Sequence, residues 1–168
     1  PHPTQAAAGE AIRTQIIEAL KTATDVVLSH YHGDHIPHPN ANHYQLSAHR
    51  VAHLFAEKRL WCKGPQEIST RMAQRRLTLA ACLEQSLPNA ESTQNGPLTF
   101  SDAVPHGQCG TGLGTVMMTR ITDPENGFVF VHASDIQLLD DEAVDRIASW
   151  NPDVVLVGGP PVYISKIT

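Results

Sequence analysis

Ser29-His30-Tyr31-His32-Gly33-Asp34-His35 sets three histidines and one aspartate within six consecutive positions. It follows Asp25-Val26-Val27-Leu28, a short apolar run that reads as a buried strand. The ligand-type residues therefore begin where a strand ends. Side chains two apart along an extended chain share a face, so His30 and His32 aim their imidazoles at one point. Gly33 has no Cβ and lets the chain turn sharply, which carries Asp34 and His35 round to the same space. Imidazole nitrogens with a carboxylate oxygen suit zinc, and also iron or manganese. A histidine-rich surface loop has no need of this spacing, and the stretch reads as a metal site.

The chain has 168 residues, enough for one domain with a substantial core. Its net charge of −5 counts against a general nucleic-acid binder, which needs a basic face. Arg71, Arg75 and Arg76 make a local basic cluster that reads as a solvated helix face. Ten histidines fit metal chemistry. Cys62, Cys82 and Cys109 are odd in number and show no C-x-x-C spacing, so a reducing cytoplasm is the expected setting. There is no apolar run of about 18 residues and no signal-peptide pattern, so no membrane partner is expected. The chain begins with Pro1 and stops at Thr168 after a strand-like run, and both ends read as cut.

Outward from the histidine stretch, residues 4–22 read as a helix with Ala11, Ile12, Ile16, Ala19 and Leu20 as its apolar stripe. Residues 36–47, with Pro37, Pro39, Asn40 and Asn42, read as a long loop in which His38 and His43 are solvated. A short helix over 49–57 precedes a strand over 59–63 with Leu60 and Cys62 on one face and Trp61 on the other. Residues 66–86 read as a long helix. Strands follow over 98–104, 116–121, 128–132 and 153–157, with a helix over 141–150. Helices and consecutive strands mix, which predicts an α+β or mixed α/β layering.

Three later strand ends carry polar groups: His106, Asp135, and the stretch Gly158-Gly159-Pro160-Pro161. A carboxylate just past a buried strand is costly unless paired or bound to a cation; the alternative for Asp135 is a helix cap. The glycine-rich residues 107–114 lack the lysine and hydroxyl of a P-loop, and their glycines read as allowing close backbone approach to the metal site. Cys109 reads as a packing residue or a support for the ligands rather than a thiolate ligand.

The order His30-x-His32-x-Asp34-His35, then His106 after a strand, then Asp135 after another, resembles the metallo-β-lactamase superfamily. Pro105-His106-Gly107, Gly114-Thr115-Val116, Ala133-Ser134-Asp135 and Gly158-Gly159-Pro160-Pro161 resemble one branch of it, the archaeal-type predicted metal-dependent hydrolases of unassigned substrate. The resemblance runs from Pro1 to the end. It implies that residues 1–168 form a single domain, part of an αββα sandwich with two divalent metals at the edge of two facing sheets. His30, His32 and His106 would hold the first metal, Asp34 and His35 the second, and Asp135 would bridge them. A metal-bound hydroxide would attack an ester, amide, lactone or phosphoester of a small-molecule substrate. Asp34 would orient that nucleophile and pass a proton to the leaving group. Residues 36–47 and 158–161 would line the pocket. The family pattern also has opening strands ahead of the first motif and a further histidine near its C-terminus. The sequence reaches neither, and so reads as the middle of a longer protein. Two alternatives stay open, a non-catalytic metal-binding domain and a di-iron oxidoreductase of the same fold. The superfamily's flavodiiron members carry a glutamate at the position of His32, so the histidine favours hydrolysis.

Overall fold

The computed structural model describes residues 2–162; the expected ends of the domain, Pro1 and residues 163–168, lie outside the described residues. The chain divides into two compact units, Pro1–Cys62 with Thr70–Pro88, and Lys63–Ser69 with Asn89–Thr168.

In the first unit, helix α1 (Pro3–Thr22) starts one residue before the expected boundary. Pro3 suits the first helical position because its missing N–H is one the helix cannot satisfy anyway. His2 caps it: the ring Nδ1 accepts the Thr4 N–H at 3.3 Å, and Gln5 Oε1 accepts the His2 N–H at 3.2 Å. The expected apolar stripe is mostly not packed. Leu20 alone in this helix is buried, while Ile12 and Ile16 stay 54% and 41% exposed. Periodicity marks which face is apolar, but only the C-terminal end of that face meets packed neighbours.

Strands β1 (Asp25–Leu28) and β2 (Arg59–Cys62) pair in parallel, with Asp25 opposite Arg59 and Leu28 opposite Cys62. Parallel neighbours need a crossover. Here it is the histidine stretch, the following loop and helix α2 (Ala48–Phe55). Leu60 and Cys62 are buried and Trp61 half-buried, as alternation required. Helix α3 (Thr70–Leu83) begins four residues later than expected. Glu67 has φ of 54°, outside the right-handed helical region, so the helix cannot extend back through it.

The second unit is one five-stranded sheet in the order β3 (Gln94–Asn95), β4 (Leu98–Pro105), β5 (Thr115–Thr122), β6 (Val129–His132), β7 (Val154–Leu156). The first four strands form an antiparallel meander, and β7 pairs parallel to β6 after a crossover through helix α4 (Asp141–Ser149). Asp140 caps α4 by accepting the Ala143 N–H. Val104, Val116, Met118, Val129, Val131, Ala133, Ile136 and Ala143 make the core of this unit. The apolar β7, at one edge of the sheet among the described residues, is nonetheless exposed on both faces, with Leu156 at 57%. Helices accompany both parallel and antiparallel pairing, and the fold class is α+β. Among the described residues, no helix is long and apolar enough to cross a membrane.

Candidate metal centre

β1 ends at Leu28, and the chain then runs irregularly through Ile36. His30 and Tyr31 are fully buried and His32 is half-buried. The His30 and His32 rings lie 4.8 Å apart, edge to face. The His35 N–H donates to the His32 carbonyl at 3.1 Å, and this turn sets the His35 ring 4.6 Å from that of His30. With zinc–nitrogen bonds of about 2.0–2.1 Å, two imidazoles sharing an ion stand roughly 5 Å apart centre to centre. Each of the pairs His30–His32 and His30–His35 matches that spacing. Asp34 Oδ2 is 3.6 Å from His35 Nε2, and its side chain is 70% exposed.

Gly33 serves this turn for a different reason than expected. Its φ is not in the left-handed region. Instead, a Cβ there would stand 2.8 Å from Gln45 Nε2 and 3.3 Å from Arg75 Cζ and Nη2. The basic cluster is likewise not a solvated face. Arg75 Nη1 donates to the Tyr31 carbonyl at 3.4 Å. Arg76 donates to the Leu87 carbonyl and lies 6.0 Å from the centre of the Tyr31 ring. Only Arg71 of the three is exposed. His38 is half-buried, and its Nδ1 accepts the Asn40 N–H at 3.2 Å, so it shapes the loop instead of standing in solvent. His43 is exposed, as expected. A cleft of about 180 Å³ runs along β1, with Ile36, Pro37 and Leu46 of the 36–47 loop in its wall and Asp34 and His35 on its rim.

In the second unit β4 delivers His106 immediately past Pro105. His106 is 5% exposed. Its backbone is pinned on both sides: its N–H donates to Gly114 and its carbonyl accepts from Gln137. Asp135 follows β6 by three residues, and its Oδ2 lies 3.7 Å from His106 Nε2. Ser134, just before it, has φ of 64°, a conformation costing a non-glycine residue about 1–3 kcal/mol. The capping alternative for Asp135 fails, since α4 is capped by Asp140.

Gly158 also supports Asp135. Its N–H donates to the Ser134 carbonyl at 3.1 Å, and a Cβ on it would stand 2.6 Å from Asp135 Oδ1 and 3.2 Å from Asp135 Cα. In the glycine-rich loop, Gly110, Gly112 and Gly114 take φ of 84°, 73° and 86° to turn the chain around a hollow of about 240 Å³. Gly107 packs on Gln137. Backbone curvature and close packing therefore explain these glycines. Cys109 is exposed on that loop, not packed. Cys62 is fully buried; burial pushes its thiol up to about 12, which the nearby Arg76 charge only partly offsets, so it is inert at neutral pH.

Sequence reasoning missed Lys63 and Glu91. Lys63 is fully buried, its Nζ 2.7 Å from Glu91 Oε1, and it donates to the Gln66 carbonyl at 2.8 Å. A Cβ on Gly64 would collide with Glu91 Oε2. The available signal was a lysine directly after an apolar strand and before Gly64-Pro65.

No family model matches the chain, and no solved structure matches it. Its sequence is 48% identical over 165 residues to a UPF0282 protein of Methanosarcina mazei, covering 98% of this chain and 54% of that protein. It is 36% identical over 162 residues to a UPF0282 protein of Pyrococcus abyssi, covering 91% of this chain and 52% of that protein. A UPF0282 protein of Thermococcus gammatolerans is 36% identical over 165 residues, with 92% and 54% covered. The chain is therefore similar along nearly all its length to UPF0282 proteins, and it spans about half the length of these curated relatives.

Proposed function

We propose that the whole protein is a metal-dependent hydrolase acting on a small-molecule ester, amide, lactone or phosphoester. The observation that carries this reading is the histidine stretch just past the end of β1, where the rings of His32 and His35 lie 4.8 Å and 4.6 Å from that of His30. His106 beside Asp135 adds a second ligand pair of the same chemistry. In this reading the resemblance to the metallo-β-lactamase superfamily is one of descent, and the chain is part of a single αββα sandwich domain. His30, His32 and His106 would hold one divalent metal and Asp34 and His35 a second, with Asp135 as a further carboxylate ligand. Zinc is the first choice, and iron or manganese suits the same nitrogen and oxygen donors. The setting is cytoplasmic, in keeping with three free cysteines.

When bound, such a metal lowers the pKa of its water towards about 7 and polarises the oxygen under attack. The chain's own residues do the rest. Asp34, open to solvent, orients the attacking water, takes its proton and passes it to the leaving group. The crowded Gly158 keeps Asp135 aimed.

The test is a panel of esters, lactones and phosphodiesters offered to the full-length protein, with and without a chelator. Hydrolysis of at least one class, abolished by the chelator and restored by zinc, is expected. Asp34→Asn should lower kcat by about 10²–10⁴-fold, the usual worth of a general acid–base group. Hydrolysis indifferent to the chelator, or full activity in Asp34→Asn, would contradict the proposal.

A further inference from the structure

Helix α3 presents two consecutive arginines to the histidine stretch, and both reach Tyr31, the residue between His30 and His32. Arg75 donates to the Tyr31 carbonyl at 3.4 Å, and Arg76 stands 6.0 Å from the centre of its ring. Neighbours on a helix point about 100° apart, so one arginine takes the backbone and the other the side chain. Arg75 does more: with Gln45 it crowds Gly33, where an added methyl group would force the Gln45 amide or the guanidinium to shift.

Gln45 is itself braced. Its Oε1 accepts the Asn42 N–H at 3.1 Å, which fixes the amide so that Nε2 faces Gly33. The loop carrying it is closed by the bridge between His38 and Ser47, with the His38 N–H donating to the Leu46 carbonyl at 2.8 Å.

We propose that Arg75 is a positioning residue for the histidine stretch. Its guanidinium, opposed by Gln45, clamps the Gly33 turn and so fixes His35 and His32 relative to His30. The proposal rests on the metal reading of these histidines, but the clamp itself is measurable without a metal. A guanidinium set close against a glycine is not replaced by lysine, whose ammonium is a point charge on a flexible stem. Groups that orient metal ligands contribute about 10–100-fold to metal affinity.

The experiment compares the full-length protein with Arg75→Lys, Gln45→Ala and, as a control exposed on the same helix, Arg71→Ala. Two readouts are taken: amide hydrogen exchange in metal-free protein, and zinc affinity by competition with a chelator. In Arg75→Lys, exchange across residues 30–35 should speed up about 10-fold and zinc affinity fall about 10–100-fold, while α3 keeps its protection. Arg71→Ala should match the parent in both. A purely structural role would instead loosen α3 together with the loop. Should Arg75→Lys not fold, Gln45→Ala, on the other side of Gly33, carries the same expectations. Unchanged exchange across residues 30–35 in the folded variant overturns the clamp. A parent that binds no zinc overturns the metal reading, and the exchange result still decides the clamp.

Discussion

Asp25, at the head of β1, accepts from Arg59 Nη2 and Trp61 Nε1, both at 2.8 Å, and from Thr24 Oγ1 at 2.7 Å. Burial pulls its pKa up, but the hydrogen bonds from Arg59, Thr24 and Trp61 and the Arg59 charge together outweigh it, and bring it from 3.8 down to about 2. A carboxyl with a depressed folded pKa adds stability that is fully present above its unfolded value. That stability drains away as pH falls through the folded one. Because its partner Arg59 is largely exposed, solvent screening holds that contribution to about 1 kcal/mol. Asp25→Asn should lose stability of that order at neutral pH in urea melts. Its deficit against the parent should shrink as pH falls from 3.8 towards about 2, and a deficit independent of pH would show the carboxylate charge to be irrelevant. Lys63 and Glu91 give a second residue-scale expectation. Taking the carboxylate away from a fully buried ammonium costs about 3–5 kcal/mol, whereas replacing both partners by well-packed apolar groups is often neutral. Glu91→Ala should therefore be far less stable than the double variant Lys63→Met, Glu91→Leu. Equal losses would mean the ion pair itself is the stabilising unit.

At the scale of elements, β1, β2, β4, β5 and β6 were legible because each is an apolar run bounded by turn residues, and their ends placed His30, His106 and Asp135 correctly along the chain. What was not legible depends on neighbours distant in sequence. The stripe of α1 is real, yet Ile12 and Ile16 remain exposed, because periodicity says nothing of what a face will meet. The residues before α3 are compatible with a helix, and only the positive φ of Glu67 shows that the helix starts later. Gly33 and Gly158 look like ordinary turn glycines. Their purpose lies in Gln45 and Arg75 for one, and Asp135 for the other. This last contact gives a prediction. Gly158→Ala forces a Cβ against both the carboxylate and the backbone of Asp135, so the stretch carrying Asp135 must move. Overpacking of this kind costs about 1–3 kcal/mol. The variant should stay folded in thermal melts but lose bound metal, and full metal retention would mean that Asp135 is no ligand.

For the whole molecule, the ligand chemistry is shared out. The first unit holds His30, His32, Asp34 and His35, and the second holds His106 and Asp135. The curated relatives are nearly twice as long as this chain. The proposed function requires that residues from both units serve the same ions. Ligand counting then sets the expectation for metal content: His30, His32 and His106 offer one ion three protein ligands, enough for a tetrahedral site completed by water. Asp34, His35 and Asp135 offer the other ion three at most, one of them shared. The 168-residue chain should hold about one zinc and the full-length protein about two. The most direct measurement is elemental analysis of dialysed full-length protein beside His30→Ala and His106→Ala, one substitution in each unit. A shared site predicts about two metals per chain in the parent and the loss of at least one in each variant, with both still folded. A parent without bound metal, or a His106→Ala protein that keeps its full complement, would contradict it.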